Sequence, residues 1–168
     1  MKIAFLSSIY PSHCNLIYKK NPRLAKMSYV EQKSFIDRVA ICSMSKWPKL
    51  LNDIGHESIM LIRNNPYMQQ MWCRENEFHD DSGDLEFNIL NEQVKRFQPD
   101  ILFVFGASYY DQNNRLDMIT NNCTSIKKKI CWYGAPEGNE NIFGQYDLVL
   151  TNSISLRDSI RKKGGKSE

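Results

Sequence analysis

Residues 101–105 read ILFVF, with Pro99-Asp100 before them and Gly106-Ala107 after. Five apolar residues in a row, closed by glycine, fit a strand buried on both faces. A strand with one wet face would alternate. The same reading extends outward to KIAFLS (2–7), ESIMLI (57–62), KKKICWY (127–133) and LVLT (148–151). Between these runs lie segments of helical period. One starts at Tyr29, with Ser28 as N-cap and Glu31 three residues on, as in a capping box. Its apolar stripe is Phe35, Val39 and Cys42, continued by Trp47, Leu50, Leu51 and Ile54. Pro48 kinks or restarts this helix near Ser45, and Gly55 ends it. Residues 67–78, 85–97, 115–122 and 153–165 read as further helices, the last capped by Asn152 or Ser153. Residues 8–28 hold two prolines and four basic residues with little periodicity, and read as a long loop. Residues 79–84 read as an exposed linker and 106–114 as an exit loop. The order β-α-β-α-α-β-α-β-β-α predicts an α/β fold: one Rossmann-like, doubly wound parallel sheet, a single domain over 1–168.

The chain has 168 residues, enough for one core that removes roughly 70% of the unfolded chain's surface from water. Its composition, 42% hydrophobic and 24% charged, is that of an ordinary globular domain. A net charge of +3, from 22 basic and 19 acidic residues, gives no footprint for nucleic acid. No apolar run is long enough to span a membrane, and MKIAFLSSIYP is too short in its apolar part for a secretory signal. The five cysteines are widely spaced, odd in number and form no C-x-x-C, which predicts reduced thiols and a cytoplasmic protein.

In an open parallel sheet, ligands bind beyond the carboxyl ends of the strands. That rule selects the loops holding Ser7, Ser8, Tyr10, His13, Asn64, Ser108, Tyr109, Tyr110, Asp111, Glu137 and Asn152. Hydroxyls and amides dominate the set, which suits a polyhydroxylated ligand, although surface loops are polar in any case. Ser8, Tyr10, Ser108, Tyr109, Asp111 and Asn152 are the candidate ligand-binding residues of this set. Glu137 follows a strand and a Gly-Ala-Pro turn, where a carboxylate can accept a substrate hydroxyl or its proton; the plain reading is a solvated turn glutamate. His13 is the second catalytic candidate, with a surface histidine as its plain reading. Its neighbour Cys14 does not make it a nucleophile–base pair, because such pairs are built in space. Lys19, Lys20, Arg23 and Lys26 can receive an anionic acceptor or a membrane surface, or simply be solvated. G-x-G-x-x-G, G-x-x-x-x-G-K-[ST] and G-x-S-x-G are all missing, so no dinucleotide, P-loop or nucleophile-elbow reading holds. His79, Asp80 and Asp81 are consecutive and cannot easily converge on one ion, so no metal is expected.

An ordered set of segments resembles the N-terminal domain of GT-B-fold glycosyltransferases, in a bacterial subgroup near the CgeB-like proteins. The set is KIAFLSSIYP, NPRLAKMSYVEQ, LNDIGHES with its strand, NNPYMQQMWCRE, RFQPDILFVFG, ICWYGAP and YDLVLTNS. The N-P-x-L-x-x-x-S-Y-x-E-Q stretch and the order of the segments carry the match, which covers most of the chain. The resemblance implies an acceptor-side domain facing a second, nucleotide-sugar-binding domain across a cleft. It implies a glycan, glycolipid or glycoprotein acceptor, no resident cofactor, a nucleotide-sugar donor held mainly by the other domain, and no metal. Because the chain ends at Glu168, it is expected to be inactive alone, and to meet that missing domain, or itself, through its cleft face. SSIYPS stands where many of these enzymes have a glycine-rich loop, so no donor-phosphate contact is carried over. Two other classes remain open: a stand-alone sugar- or nucleotide-binding module, and a protein-interaction domain.

Overall fold

The computed structural model describes residues 1–39, 43–134 and 140–168. Along the chain run β1 (Lys2–Ser7), α1 (Pro11–Lys20), α2 (Tyr29–Val39), α3 (Trp47–Asp53), β2 (Glu57–Ile62), α4 (Pro66–Glu75) and α5 (Leu85–Phe97). Then follow β3 (Ile101–Phe105), α6 (Ala107–Asp111), α7 (Arg115–Asn122), β4 (Lys128–Trp132), β5 (Leu148–Leu150) and α8 (Ile154–Lys162). The strands form one sheet in the order β2-β1-β3-β4-β5. Every pair is parallel, with Phe5 opposite Met60 on one side and Phe103 on the other. The fold is α/β and Rossmann-like.

Side chains alternate across this sheet and feed two cores. Ala4, Leu6, Leu102, Val104, Cys131 and Val149 pack with Leu90 and Val94 of α5, Leu116 and Ile119 of α7, and Ile160 of α8. On the other face Ile3, Phe5, Met60 and Phe103 meet Cys14 and Tyr18 of α1, Ile36 of α2, and Met68 and Trp72 of α4. Each fully buried large side chain contributes about 1.5–3 kcal/mol, which explains why the strands are apolar on both sides. After α8 the chain returns along β5. Val149 N–H donates to the Lys166 carbonyl at 2.8 Å and Glu168 N–H to the Val149 carbonyl at 3.2 Å. Gly165 makes this return possible: a Cβ there would lie 2.6 Å from Ile160 Cγ2 and 3.0 Å from Phe143 Cβ.

Three local expectations are corrected. The expected loop 8–28 contains α1 and a single 3-10 turn, Leu24–Lys26. Pro11 opens α1 as its first helical residue rather than breaking it, and Cys14 and Tyr18, four apart, bury its inner face. The buried stripe of α2 is Tyr29, Gln32 and Ile36, while Val39 is exposed; Cys42 lies outside the described residues. The helix restarts as α3 with Pro48 in its first turn, as the proline predicts, but Leu50 and Ile54 of the expected apolar stripe are exposed. Residues 107–111 of the expected exit loop form α6.

Candidate functional site

From β1 the chain runs outward to one side, to β2, and from β3 to the other. The carboxyl ends of β1 and β3 therefore part at a topological switch point, where open α/β sheets bind ligands. A crevice of about 370 Å³ lies there. Ser7, Ser8 and Tyr10 bound it from the β1 side, Phe105 and Gly106 from β3, and Trp132, the last residue of β4, from the next strand. Its polar groups are hydroxyls and amides; its apolar walls are aromatic rings and Ile9.

The β1 loop is held by a side chain from across the sheet. Asn64 Oδ1 accepts the Ile9 N–H at 2.8 Å, and Asn64 Nδ2 donates to the Ile9 carbonyl at 2.8 Å. Ile9 is thereby buried, and Ser8 and Tyr10 on either side of it are presented to solvent. The next residue, Asn65, caps α4 by accepting the Met68 N–H at 3.2 Å. Asn64 also walls the crevice, but its amide is committed to Ile9.

Behind Ser7, Ser8 and Tyr10 is a smaller cavity of about 70 Å³ that reaches Ile36 and Asp37 of α2. Asp37 Oδ2 pairs with Lys33 Nζ at 2.6 Å, whereas Oδ1 is buried without a hydrogen-bond partner among the described residues. Among the described residues lining the two cavities, Asp37 is the one carboxylate. On the other flank a groove of about 900 Å³ runs between α1, α4 and the start of α5, sharing Pro11 and Asn64 with the crevice. Cys14 and Cys73 lie in its wall, and burial pushes both thiols up from their ordinary pKa.

The residues singled out from sequence separate into groups. Ser8 and Tyr10 line the crevice. His13 is exposed on the first turn of α1, its ring edge-on to Tyr10 at 5.7 Å, and is not part of the crevice wall. Asn152 is exposed beyond β5, its Oδ1 4.0 Å from where a Cβ on Gly134 would stand. That same point is 3.2 Å from Trp132 Nε1, so Asn152 neighbours the rim at the indole. Ser108, Tyr109 and Asp111 sit on α6 and do not line the crevice. The Tyr109 ring carries the Arg63 guanidinium at 3.6 Å and that of Arg115 at 4.2 Å. Its hydroxyl is buried without a partner among the described residues, and burial pushes its pKa up. Asp111 accepts from Gln145 Nε2 at 3.4 Å. Glu137 lies outside the described residues.

Sequence reasoning missed Asp37, the aromatic wall of Phe105 and Trp132, and the Asn64 clamp. Asp37 and Lys33 are four residues apart on a helix, which signals a solvated ion pair. Phe105 and Trp132 each end a strand at the carboxyl edge, and an aromatic residue in that position was the available signal. Among the described residues no helix is long and apolar enough to cross a membrane, and no group of three or more His, Cys, Asp or Glu could hold a metal ion. No protein family, curated protein or solved structure matches the chain.

Proposed function

We propose that the carboxyl-edge crevice binds a sugar, and that the domain is the acceptor side of a nucleotide-sugar-dependent glycosyltransferase of the kind its sequence resembles. One observation carries the reading: two serines, Ser7 and Ser8, and two aromatic residues, Phe105 and Trp132, line the same crevice at the switch point. A sugar has a rim of hydroxyls and an apolar face of C–H bonds. The rim needs hydrogen-bonding groups and the face suits a flat ring. Clamping of the Ile9 backbone by Asn64 fixes this surface before a ligand arrives.

In glycosyl transfer an acceptor hydroxyl oxygen bonds to the anomeric carbon of the donor. The bond from that carbon to the diphosphate oxygen breaks, and the hydroxyl proton passes to a base. Holding the acceptor in line is the task the crevice performs in this reading. Asp37 is a described carboxylate that shares a cavity with Ser7, Ser8 and Tyr10, and is a proton acceptor for that step alongside Glu137 and His13. The facing domain implied by the resemblance supplies the groups that neutralise the departing diphosphate. The chain alone then binds acceptor sugars without transferring to them. The second reading, a sugar-binding module without chemistry, is favoured by the crevice wall itself, which holds no carboxylate or imidazole among its described residues.

Calorimetric titration with a panel of monosaccharides and nucleotide sugars tests the proposal. Saturable binding of a sugar, weakened about tenfold or more by Trp132→Ala, is expected. No binding of any member, or binding indifferent to Trp132, overturns it. Turnover of a radiolabelled nucleotide sugar by the chain alone contradicts the division of labour between two domains.

A further inference from the structure

We infer that the groove between α1, α4 and α5 is a second subsite, which reads further sugar units of a glycan whose end lies in the crevice. The inference rests on the proposed sugar binding and adds the ligand class: an oligosaccharide chain, not a single sugar.

Continuity is the first argument. Pro11 and Asn64 wall both spaces, so the groove begins where the crevice ends on that side. At about 900 Å³ the groove has more than twice the crevice's 370 Å³, near the upper end of ordinary ligand sites. A single sugar leaves most of it empty.

The lining chemistry is the second argument. Tyr67 stacks on Tyr18 with ring centroids 4.0 Å apart. Tyr18 is itself buried, and its hydroxyl donates to Gln32 Oε1 at 2.8 Å. The Tyr67 ring is thus fixed from behind while the residue stays 37% exposed, which makes it a preformed flat platform. Around it stand planar polar groups. Arg63 pairs with Glu86, and Tyr109 backs the guanidinium. The amides of Asn15 and Gln70 are exposed and have no hydrogen-bond partner among the described residues. Planar groups that place two hydrogen-bonding atoms side by side match the two adjacent hydroxyls of a sugar ring. An aliphatic ligand would cover the amides of Asn15 and Gln70 without pairing them.

Titration of the full chain with cello-, malto- and chito-oligosaccharides of one to four units tests the inference. For the series that binds, affinity is expected to rise about tenfold between one and three units. Gln70→Ala and Tyr67→Ala are expected to remove that rise and leave monosaccharide affinity unchanged. Gln70 is exposed, so its variant keeps the test interpretable even where Tyr67→Ala unfolds the chain. Affinity independent of length, with the crevice still dependent on Trp132, overturns the groove and spares the sugar-binding proposal. A length-dependent gain that survives both substitutions also overturns it. Absence of binding by every series overturns both.

Discussion

The side chain of Asn64 makes two hydrogen bonds to the backbone of Ile9, one to its N–H and one from its amide to its carbonyl, each 2.8 Å long. The two residues come from loops after neighbouring strands, 55 positions apart, and the pair closes the carboxyl edge between β1 and β2. Ile9 is 2% exposed, so its polar backbone cannot turn to water when Asn64 is lost. Asn64→Ala is expected to cost about 1–3 kcal/mol, the penalty for an orphaned buried group. Asn64→Asp keeps an acceptor for the N–H but sets oxygen against oxygen at the carbonyl, and should be no better. Urea denaturation checks this: a lower midpoint at an unchanged slope is expected.

At the far end of the fold, Gly165 has no room for a side chain. Its Cβ would sit 2.6 Å from Ile160 Cγ2, and Ile160 is 1% exposed and cannot easily yield. Gly165→Ala should destabilise by about 1–3 kcal/mol through overpacking. Thermal denaturation should show a fall of roughly 2–4 °C for each kcal/mol in a chain of this size.

Acid should weaken the amino edge of the sheet first. The Lys127 ammonium at 2.7 Å and the Lys2 N–H at 2.9 Å hold the Asp100 carboxyl below its ordinary pKa. The Lys129 N–H at 2.9 Å does the same for Asp147, with Lys128 adding to it. A carboxyl depressed on folding binds protons more readily when unfolded. Its stabilisation is therefore whole above the unfolded pKa, about 4, and is lost as pH falls through the depressed values. Asp100→Asn and Asp147→Asn should lower stability at neutral pH and flatten its decline below about pH 4, as read by denaturation midpoints across pH.

Gly134 leaves space for the crevice's indole. A methyl at its Cβ position would stand 3.2 Å from Trp132 Nε1, close enough to push the ring by a few tenths of an ångström. Because Gly134 is exposed, Gly134→Ala should leave the melting temperature nearly unchanged. It should move the indole N–H resonance of Trp132 and weaken sugar binding. An unmoved resonance would mean that the ring does not rest against this turn.

The sheet was legible because burial on both faces leaves little but apolar residues, as in ILFVF and KIAFLS. So was the start of α2: Glu31 Oε2 accepts the Ser28 N–H at 2.9 Å and Ser28 Oγ accepts the Glu31 N–H at 3.3 Å, a reciprocal box set entirely by local sequence. Helix α1 was hidden, since Cys14, Ile17 and Tyr18 form only a narrow inner strip, Leu16 points out to solvent, and prolines stand at its start and just beyond its end. The switch-point rule leads to the carboxyl edge, where Ser8 and Tyr10 line the crevice. It cannot say which way α6 turns, and Tyr109 faces Arg63 and Arg115 instead. Nor can it show Asp37, whose significance arises only when α2 packs behind the β1 loop and closes over one carboxylate oxygen.

The most direct test of the central claim is amide and indole shift mapping on ¹⁵N-labelled chain, titrated with the sugar that calorimetry selects. If the carboxyl-edge crevice is the ligand site, the largest perturbations fall on Ser8, Ile9, Tyr10, Gly106 and the indole N–H of Trp132. Perturbations confined to the amino edge around Asp100 and Asp147, or none at saturating sugar, would contradict it.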